Sequence, residues 1–325
     1  MRAGHFSASL LALVLSATIA GCASPQTTPA SSAQGSHPQQ SQQTDPTSPT
    51  AEVPDSTTVA YLGPEGTYTE EATKLFFGTN DQLAPQESVP KALEAVAAGT
   101  ASYAVIPQEN TLGGPVTDYV DALLAQKDVS VAGEVVLPIR QTLMGLPGTD
   151  LSKVTRVVSH KQGLQQSAAW LDGNLPSAER VEAKSTAAAA QEVASAGDST
   201  SVAIAAPGAA SLYGLEVLQA NVSLSDANKT RFYVVSRTAN TREGYGCALL
   251  AATCPASELP RVLDDACAGG ARVVCVHDRP EKSSLGVYRY QIELERDGGF
   301  TSTELDRLAQ VKDVSCLGGF SRVEG

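Results

Sequence analysis

A hydroxyl and a guanidinium stand side by side in Asn228-Lys229-Thr230-Arg231-Phe232, where a polar turn runs into the apolar strand YVVSR. In that setting Arg231 can grip a carboxylate with parallel N–H donors, and Thr230 can give a hydrogen bond to a departing group. In isolation the tripeptide is equally an arginine at a strand start. Three more polar loops follow apolar runs in the same way. Gly63-Pro64-Glu65-Gly66-Thr67-Tyr68-Thr69 leads into a helix expected from near Glu70. The first amides of that helix, with Gly66 and Thr67, could receive a carboxylate; the plain alternative is a turn with Thr69 as N-cap. Ile106-Pro107-Gln108-Glu109-Asn110-Thr111-Leu112-Gly113-Gly114 supplies an acid, an amide and a hydroxyl from Glu109, Asn110 and Thr111, or else a loop that satisfies its own backbone. Ser159-His160-Lys161-Gln162-Gly163-Leu164-Gln165-Gln166 adds Ser159 and Gln166 at another strand end. His160, with no nucleophile to pair with, reads as a hydrogen-bonded structural histidine.

Loops of this kind need strands and helices behind them. Across residues 58–237 the apolar runs VAYLG, SYAVIP, VSVAGEVVL, TRVVSH, SVAIAA and TRFYVVSR alternate with helical stretches near 70–77, 116–124, 163–171, 186–196 and 209–213. This is α/β patterning, which predicts parallel sheets with crossover helices and ligands at the strand ends. From about Gly244 the period changes: CALLAATC, a helix over 258–268, ARVVCVHD, the alternating VYRYQIELE, a helix over 302–309 and a short strand over 314–320. That βαββαβ order predicts a separate ferredoxin-like domain, with one face of an antiparallel sheet covered by two helices.

The chain has 325 residues, enough for two or three cores of ordinary size. Its 35 acidic residues outnumber 23 basic ones, for a net charge of −12, and no basic cluster could track a phosphate backbone, which argues against nucleic acid. Arg2 precedes SLLALVLSATIA at residues 9–20, an apolar run too short to span a bilayer comfortably, so export is expected. The run ends in Ile19-Ala20-Gly21-Cys22, which resembles a bacterial lipobox. Residues 1–22 then form a lipoprotein signal peptide with Cys22 carrying the lipid, and the membrane is reached through that anchor alone; the alternative is a plain cleaved signal peptide. Residues 23–57, rich in Ser, Thr, Pro, Gln and Ala, predict a disordered tether spanning on the order of 30 Å. Cys247, Cys254, Cys267, Cys275 and Cys316 show no metal-binding spacing; they could form two disulfides and a free thiol, or act as five small hydrophobes.

In order and interval, GPEGTYT, IPQENTLGG, SHKQGLQQ, STAAAAQEVA, VAIAAPGAASLYGLEVL and NKTRFYVV resemble prephenate dehydratase across residues 59–237. The resemblance implies a fold similar to type 2 periplasmic binding proteins: two α/β lobes joined by two crossings, with substrate between them. The catalytic domain would be 58–240, with lobe 1 at about 58–132 and 230–240 and lobe 2 at about 133–229. Thr230 matches the family's catalytic hydroxyl, Arg231 and Phe232 its catalytic neighbours, Glu109, Asn110 and Thr111 the acid-amide loop, and Ser159 and Gln166 the second-lobe contacts. The family's SHPQ reads SHKQ here. The implied reaction takes prephenate to phenylpyruvate, water and carbon dioxide; aromatisation drives it, so no metal or other cofactor is required. Residues 241–325 resemble the ACT domain, which in this family binds phenylalanine. Its Gly-Ala-Leu element falls on Ser257-Glu258-Leu259 and its Glu-Ser-Arg-Pro element on His277-Asp278-Arg279-Pro280. Ser257, Leu259, Arg279 and Pro280 are thus the candidate effector residues, with Glu258 and the lost glycine expected to weaken binding. A homodimer or homotetramer is implied. Two other readings remain: a solute-binding lipoprotein of the same two-lobed fold, and a catalytically inactive relative.

Overall fold

A computed structural model of the chain describes residues 57–79, 81–223, 225, 227–238 and 244–325. The expected signal peptide, lipidated Cys22 and nearly all of the tether lie outside the described residues. No helix among the described residues is long and apolar enough to cross a membrane.

The first lobe runs β1 (Thr58–Leu62), α1 (Tyr68–Phe77), β2 (Gln82–Gln86), α2 (Val89–Ala97), β3 (Tyr103–Asn110), β4 (Gly114–Pro115), α3 (Thr117–Ala125) and β5 (Ser130–Pro138). The chain then crosses to the second lobe, with β6 (Thr142–Gly145), β7 (Arg156–His160), α4 (Lys161–Gln166), α5 (Ala168–Asn174), β8 (Glu179–Ala183), α6 (Thr186–Ala196), β9 (Ser201–Ala205), α7 (Pro207–Tyr213) and β10 (Glu216–Gln219). It returns as β11 (Lys229–Ser236). The crossings lie side by side: Val222 donates its N–H to the Gln141 carbonyl at 2.7 Å, and Ile139 donates to Asn228 O at 2.8 Å.

Two lobes and two crossings are as expected, but the first crossing falls at residues 139–141 rather than 133. The run VVLP stays paired with β11 through Pro138, with Val135 and Leu137 in the core that also holds Phe232 and Val234. Nor are the sheets purely parallel. β1 pairs parallel with β2 and β3, whereas the returning β11 is antiparallel to both β3 and β5. In lobe 2, β6 is the reversed strand, antiparallel to both of its neighbours, β9 and β10.

Not anticipated from the sequence are β2, α2, β6, β8 and β10. β2 and β8 are edge strands that keep polar residues and, in β2, Pro85. α2 does carry a signal: Ser88 caps it through Lys91 N–H, and Val89, Ala92, Leu93 and Val96 repeat at helical spacing and are fully buried. The helix expected over 163–171 is two helices, broken at Ser167, whose backbone (φ −105°, ψ 4°) leaves helical geometry.

The C-terminal third has the predicted order: β12 (Tyr245–Pro255), α8 (Leu259–Cys267), β13 (Arg272–Pro280), β14 (Val287–Phe300), α9 (Ser302–Ala309) and β15 (Val314–Phe320). Its antiparallel sheet runs β13-β14-β12-β15, and α8 and α9 cover the face bearing Leu250, Tyr290, Ile292 and Leu294. It is not separate, however. Cys247, Leu249 and Phe320 on the opposite face share one core with Val131, Tyr233 and Val235 of lobe 1. After β15 the chain adds β16 (Arg322–Glu324), parallel to β5, as the edge strand of the lobe-1 sheet. The five described cysteines are all unpaired, and burial pushes the Cys247 thiol up to about 12, so the two-disulfide alternative does not hold in this structure.

Candidate active site

The lobes enclose a cleft of about 940 Å³ at the C-terminal ends of β1, β3 and β7. Thr230 and Phe232 line it from β11; Arg231 does not. Successive side chains of a strand leave on opposite faces. Thr230, Phe232 and Val234 therefore face the cleft and the core beneath it, and Arg231, Tyr233 and Val235 face the C-terminal sheet. There Arg231 stands 2.9 Å from Glu134 Oε1 and 2.7 Å from Glu293 Oε2, both carboxylates fully buried. The expected carboxylate clamp is thus spent elsewhere, since neighbouring positions on a strand cannot both reach one crevice.

Asn110 organises the corner around Thr230. Its Nδ2 donates to Thr230 Oγ1 at 2.9 Å and to Asn228 Oδ1 at 2.8 Å, while its Oδ1 accepts from the N–H groups of Leu112 and Gly113. By accepting from Asn110, the Thr230 hydroxyl keeps its own proton for donation. Thr111 is a staple rather than a site residue: its hydroxyl donates to Lys229 O and accepts from Lys229 N–H. Glu109 borders the cleft, but its carboxylate stands 3.7 Å from both Arg231 and His277. His277, then Arg231, hold it below the usual carboxylate range against the opposing effect of burial.

On the second lobe Gln166 lines the cleft, whereas Ser159 is fully buried and donates to Ile204 O at 2.7 Å. Ser159 is a packing residue; the missing side chain of Gly163 makes room for it, since a Cβ there would stand 2.4 Å from Ser159 Oγ. Gln141, at the first crossing, donates to Gln166 Oε1 at 2.8 Å, and Tyr68 OH points to Gln141 Oε1 at 3.3 Å. This relay joins the lobes and leaves the Gln166 amide N–H groups as donors. His160 is both structural and a cleft residue: Nδ1 accepts from Gln162 N–H at 3.3 Å, which places the ring proton on Nε2. Lys161 in the altered SHKQ element does not line the cleft.

Helix N-termini supply the rest of the polar wall. Thr67, not Thr69, caps α1 through Glu70 N–H, and Ser185 caps α6 through Ala188 N–H at 3.0 Å. The N-cap of α3, Val116, offers no side-chain oxygen. All three ends border the cleft, and Lys184, just ahead of α6, is its one lysine or arginine among the described lining residues. Such ends attract anions through free amides and the helix dipole. Gly66 lies outside the cleft; its φ of +79° carries the turn and brings lobe 1 against Leu212 and Tyr213 of α7. Lys184 and Gln141 are not anticipated from the sequence, although Lys184-Ser185-Thr186 repeats the signature of a strand end before an N-cap.

The candidate effector residues lie apart from the cleft. Ser257 is exposed in the short turn before α8, Leu259 begins that helix, and Pro280 ends β13. Arg279 makes a bidentate pair with Asp121 of α3, at 2.9 and 3.0 Å, tying the C-terminal sheet to lobe 1.

Two α/β lobes around a cleft lined by three helix N-termini, Lys184, Glu87 and Glu109, with the Thr230 hydroxyl accepting from Asn110, define a two-lobed α/β protein with a polar cleft between its lobes. The chain belongs to the prephenate dehydratase family, whose model matches residues 59–240. A prephenate dehydratase from Amycolatopsis methanolica is 34% identical over 277 residues, spanning 82% of this chain and 89% of that one. Its counterpart from Corynebacterium glutamicum is 35% identical over 249 residues, 73% and 78% of the two chains. Among solved structures, a prephenate dehydratase from Arthrobacter aurescens in complex with L-Phe superposes with a TM-score of 0.72 at 30% identity, covering 82% of this chain and 90% of that one. A protein described as a novel type of quorum quenching acylase gives the same TM-score at 25% identity, covering 82% and 98%.

Where Glu109 meets the C-terminal sheet, the neighbouring Cys275 and then Glu109 hold His277 up at about 9, against an ordinary 6.5. A raised imidazole contributes stability that is fully present below pH 6.5 and lost as pH rises through about 9. The melting temperature of His277→Gln should therefore lie roughly 2–4 °C below wild type at pH 6.5, on the scale expected for about 1 kcal/mol in a domain of this size. The gap should close by pH 9.5; calorimetric melts showing a constant gap would contradict the assignment.

Proposed function

We propose that this chain is a prephenate dehydratase that converts prephenate to phenylpyruvate, carbon dioxide and water. The observation that carries the reading is the Thr230 hydroxyl, held by Asn110 at 2.9 Å and lining the anion-attracting cleft. Prephenate is a dianion. Its carboxylates suit the ends of α1, α3 and α6 and the Lys184 ammonium, and Gln166 and His160 can orient the ring. As the ring carboxylate leaves as carbon dioxide, its C–C bonding pair enters the ring and expels the 4-hydroxyl group, making the ring aromatic. Thr230 hydrogen-bonds the departing hydroxide, which becomes water when a solvent proton reaches it.

Acyl transfer is disfavoured by the same geometry. A threonine nucleophile needs a base to take its proton, and the partner of Thr230 is an amide donor.

The C-terminal unit is read as an ACT-like domain whose effector response is weak, because Arg279 is committed to Asp121 and Glu258 stands beside Ser257 with its carboxylate on Arg261. The lipobox at Cys22 supports export and attachment to a bacterial envelope. Association into a dimer or tetramer rests on the family resemblance.

Thr230→Ala should lower kcat by about 10²–10³, the range for loss of one hydrogen-bond donor to a developing oxyanion, with the melting temperature unchanged; phenylpyruvate absorbance in alkali reads the rate, and near-normal turnover would refute the role. Titration calorimetry with L-phenylalanine should show no binding tighter than millimolar, and micromolar binding would reverse the effector assignment. Cys22→Ser should move the protein from the membrane to the soluble fraction; retention in the membrane would exclude the lipid anchor.

A further inference from the structure

Glu293 sits in the middle of β14, in the C-terminal sheet, yet its carboxylate is fully buried against lobe 1. Four side chains from four strands form a closed ring of alternating charge there. Glu134 of β5 stands 2.9 Å from Arg231 Nε and 2.8 Å from Arg322 Nε; Glu293 stands 2.7 Å from Arg231 Nη1 and 2.9 Å from Arg322 Nη2. Tyr233 OH donates to Glu293 at 2.7 Å. Burial works against the Arg231 charge, and Glu134 and Glu293 outweigh it, leaving the guanidinium firmly protonated.

The ring grips β11 beside a bulge in its ladder with β3. Thr230 pairs with Asn110 and Arg231 with Glu109, but Phe232 pairs with Pro107, so Gln108 is an extra residue on β3. At such a bulge the ladder is interrupted and the backbone can re-aim its side chains. Arg231 is the residue at the break, and Thr230 precedes it. On its other edge β11 keeps an unbroken register with β5 from Lys229 to Val234, and the anchoring of Arg231 adds to that ladder in setting the backbone rotation that aims the Thr230 hydroxyl into the cleft.

We infer that Glu293, supplied by the C-terminal sheet, is a positioning residue for Thr230, acting through Arg231. The inference rests on the dehydratase reading of the cleft. No member of the ring lines the cleft, and its nearest approach is Arg231 at 3.7 Å from Glu109, so loosening it should misplace the hydroxyl with little change in how the substrate is held.

The test uses the full chain with prephenate as substrate, following phenylpyruvate. Glu293→Gln should lower kcat about tenfold with KM within twofold, a loss on the scale expected for misplacing one catalytic group by a fraction of an ångström. In a Thr230→Ala background the same change should alter the residual kcat less than twofold, since the group it positions is already gone. Asp121→Asn, which weakens a separate tie between the C-terminal sheet and lobe 1, should lower the melting temperature and leave kcat unchanged. If Glu293→Gln does not fold, Arg322→Lys opens the ring from its more exposed side and should lower kcat about threefold at constant KM. Unchanged kcat in the folded ring variant, an equal loss in the Thr230→Ala background, or an equal loss in Asp121→Asn would each overturn the inference. A wild-type protein that makes no phenylpyruvate would instead remove the dehydratase reading, and this inference with it.

Discussion

Residues next to each other on a strand cannot look the same way, and β11 turns that constraint into an architecture. Its even positions, Thr230, Phe232 and Val234, belong to the cleft and the core below it; its odd positions, Arg231, Tyr233 and Val235, belong to the seam with the C-terminal sheet. Because β11 is the returning strand, flanked by β3 and β5, it is also where lobe 1 closes after the excursion into lobe 2. The hydroxyl's position is therefore set by packing on both faces of one sheet and by the crossings at its end.

The seam is costly to build. Four ionised groups lose water there, and in general such a cluster is no more stable than hydrophobic side chains filling the same space. What the ring does supply is specificity. Each Glu134 and Glu293 oxygen stands within 3 Å of a guanidinium nitrogen, so one arrangement of β5, β11, β14 and β16 satisfies all four charges. Removing one member strands a buried charge, generally a loss of about 3–5 kcal/mol. That asymmetry explains how a structure can retain an expensive cluster. Burial, then the charge of Glu293, pushes the Glu134 carboxyl up from its ordinary range, the physical mark of two acids confined together.

Much of this was legible in the residues. Alternating apolar runs and helical stretches gave the α/β lobes, and the βαββαβ order of the C-terminal third survives in β12 to β15. The polar loops at strand ends do meet at the cleft through Thr67, Asn110, Gln166 and Thr230. What was not legible depends on which face of a strand meets what. The alternation in VYRYQIELE reads as an apolar face on a core and a polar face in water; instead Gln291 and Glu293 are fully buried against lobe 1. No local pattern announces that a second sheet will cover the polar face. Arg231 departs from expectation for the same reason, because adjacency in sequence does not give adjacency at the site. Ser159 departs from it because a hydroxyl after a strand looks alike whether it serves a ligand or, as here, a carbonyl of the neighbouring strand.

Keeping arginine out of the cleft also suits the chemistry of the dehydratase reading. In that reaction the ring carboxylate begins as an anion and departs as neutral carbon dioxide, while negative charge grows on the leaving hydroxide. A bidentate guanidinium on that carboxylate would be strongest in the ground state and weaken as the bond breaks, raising the barrier it was meant to lower. Helix amides and one lysine attract the dianion with a softer grip. The donor that must strengthen along the reaction is the one facing the hydroxide, and Asn110 keeps the Thr230 proton available for that. On this reading a site of helix amides and one lysine, with Arg231 turned away from the cleft and buried behind it, favours the charge distribution of the transition state over that of the bound substrate.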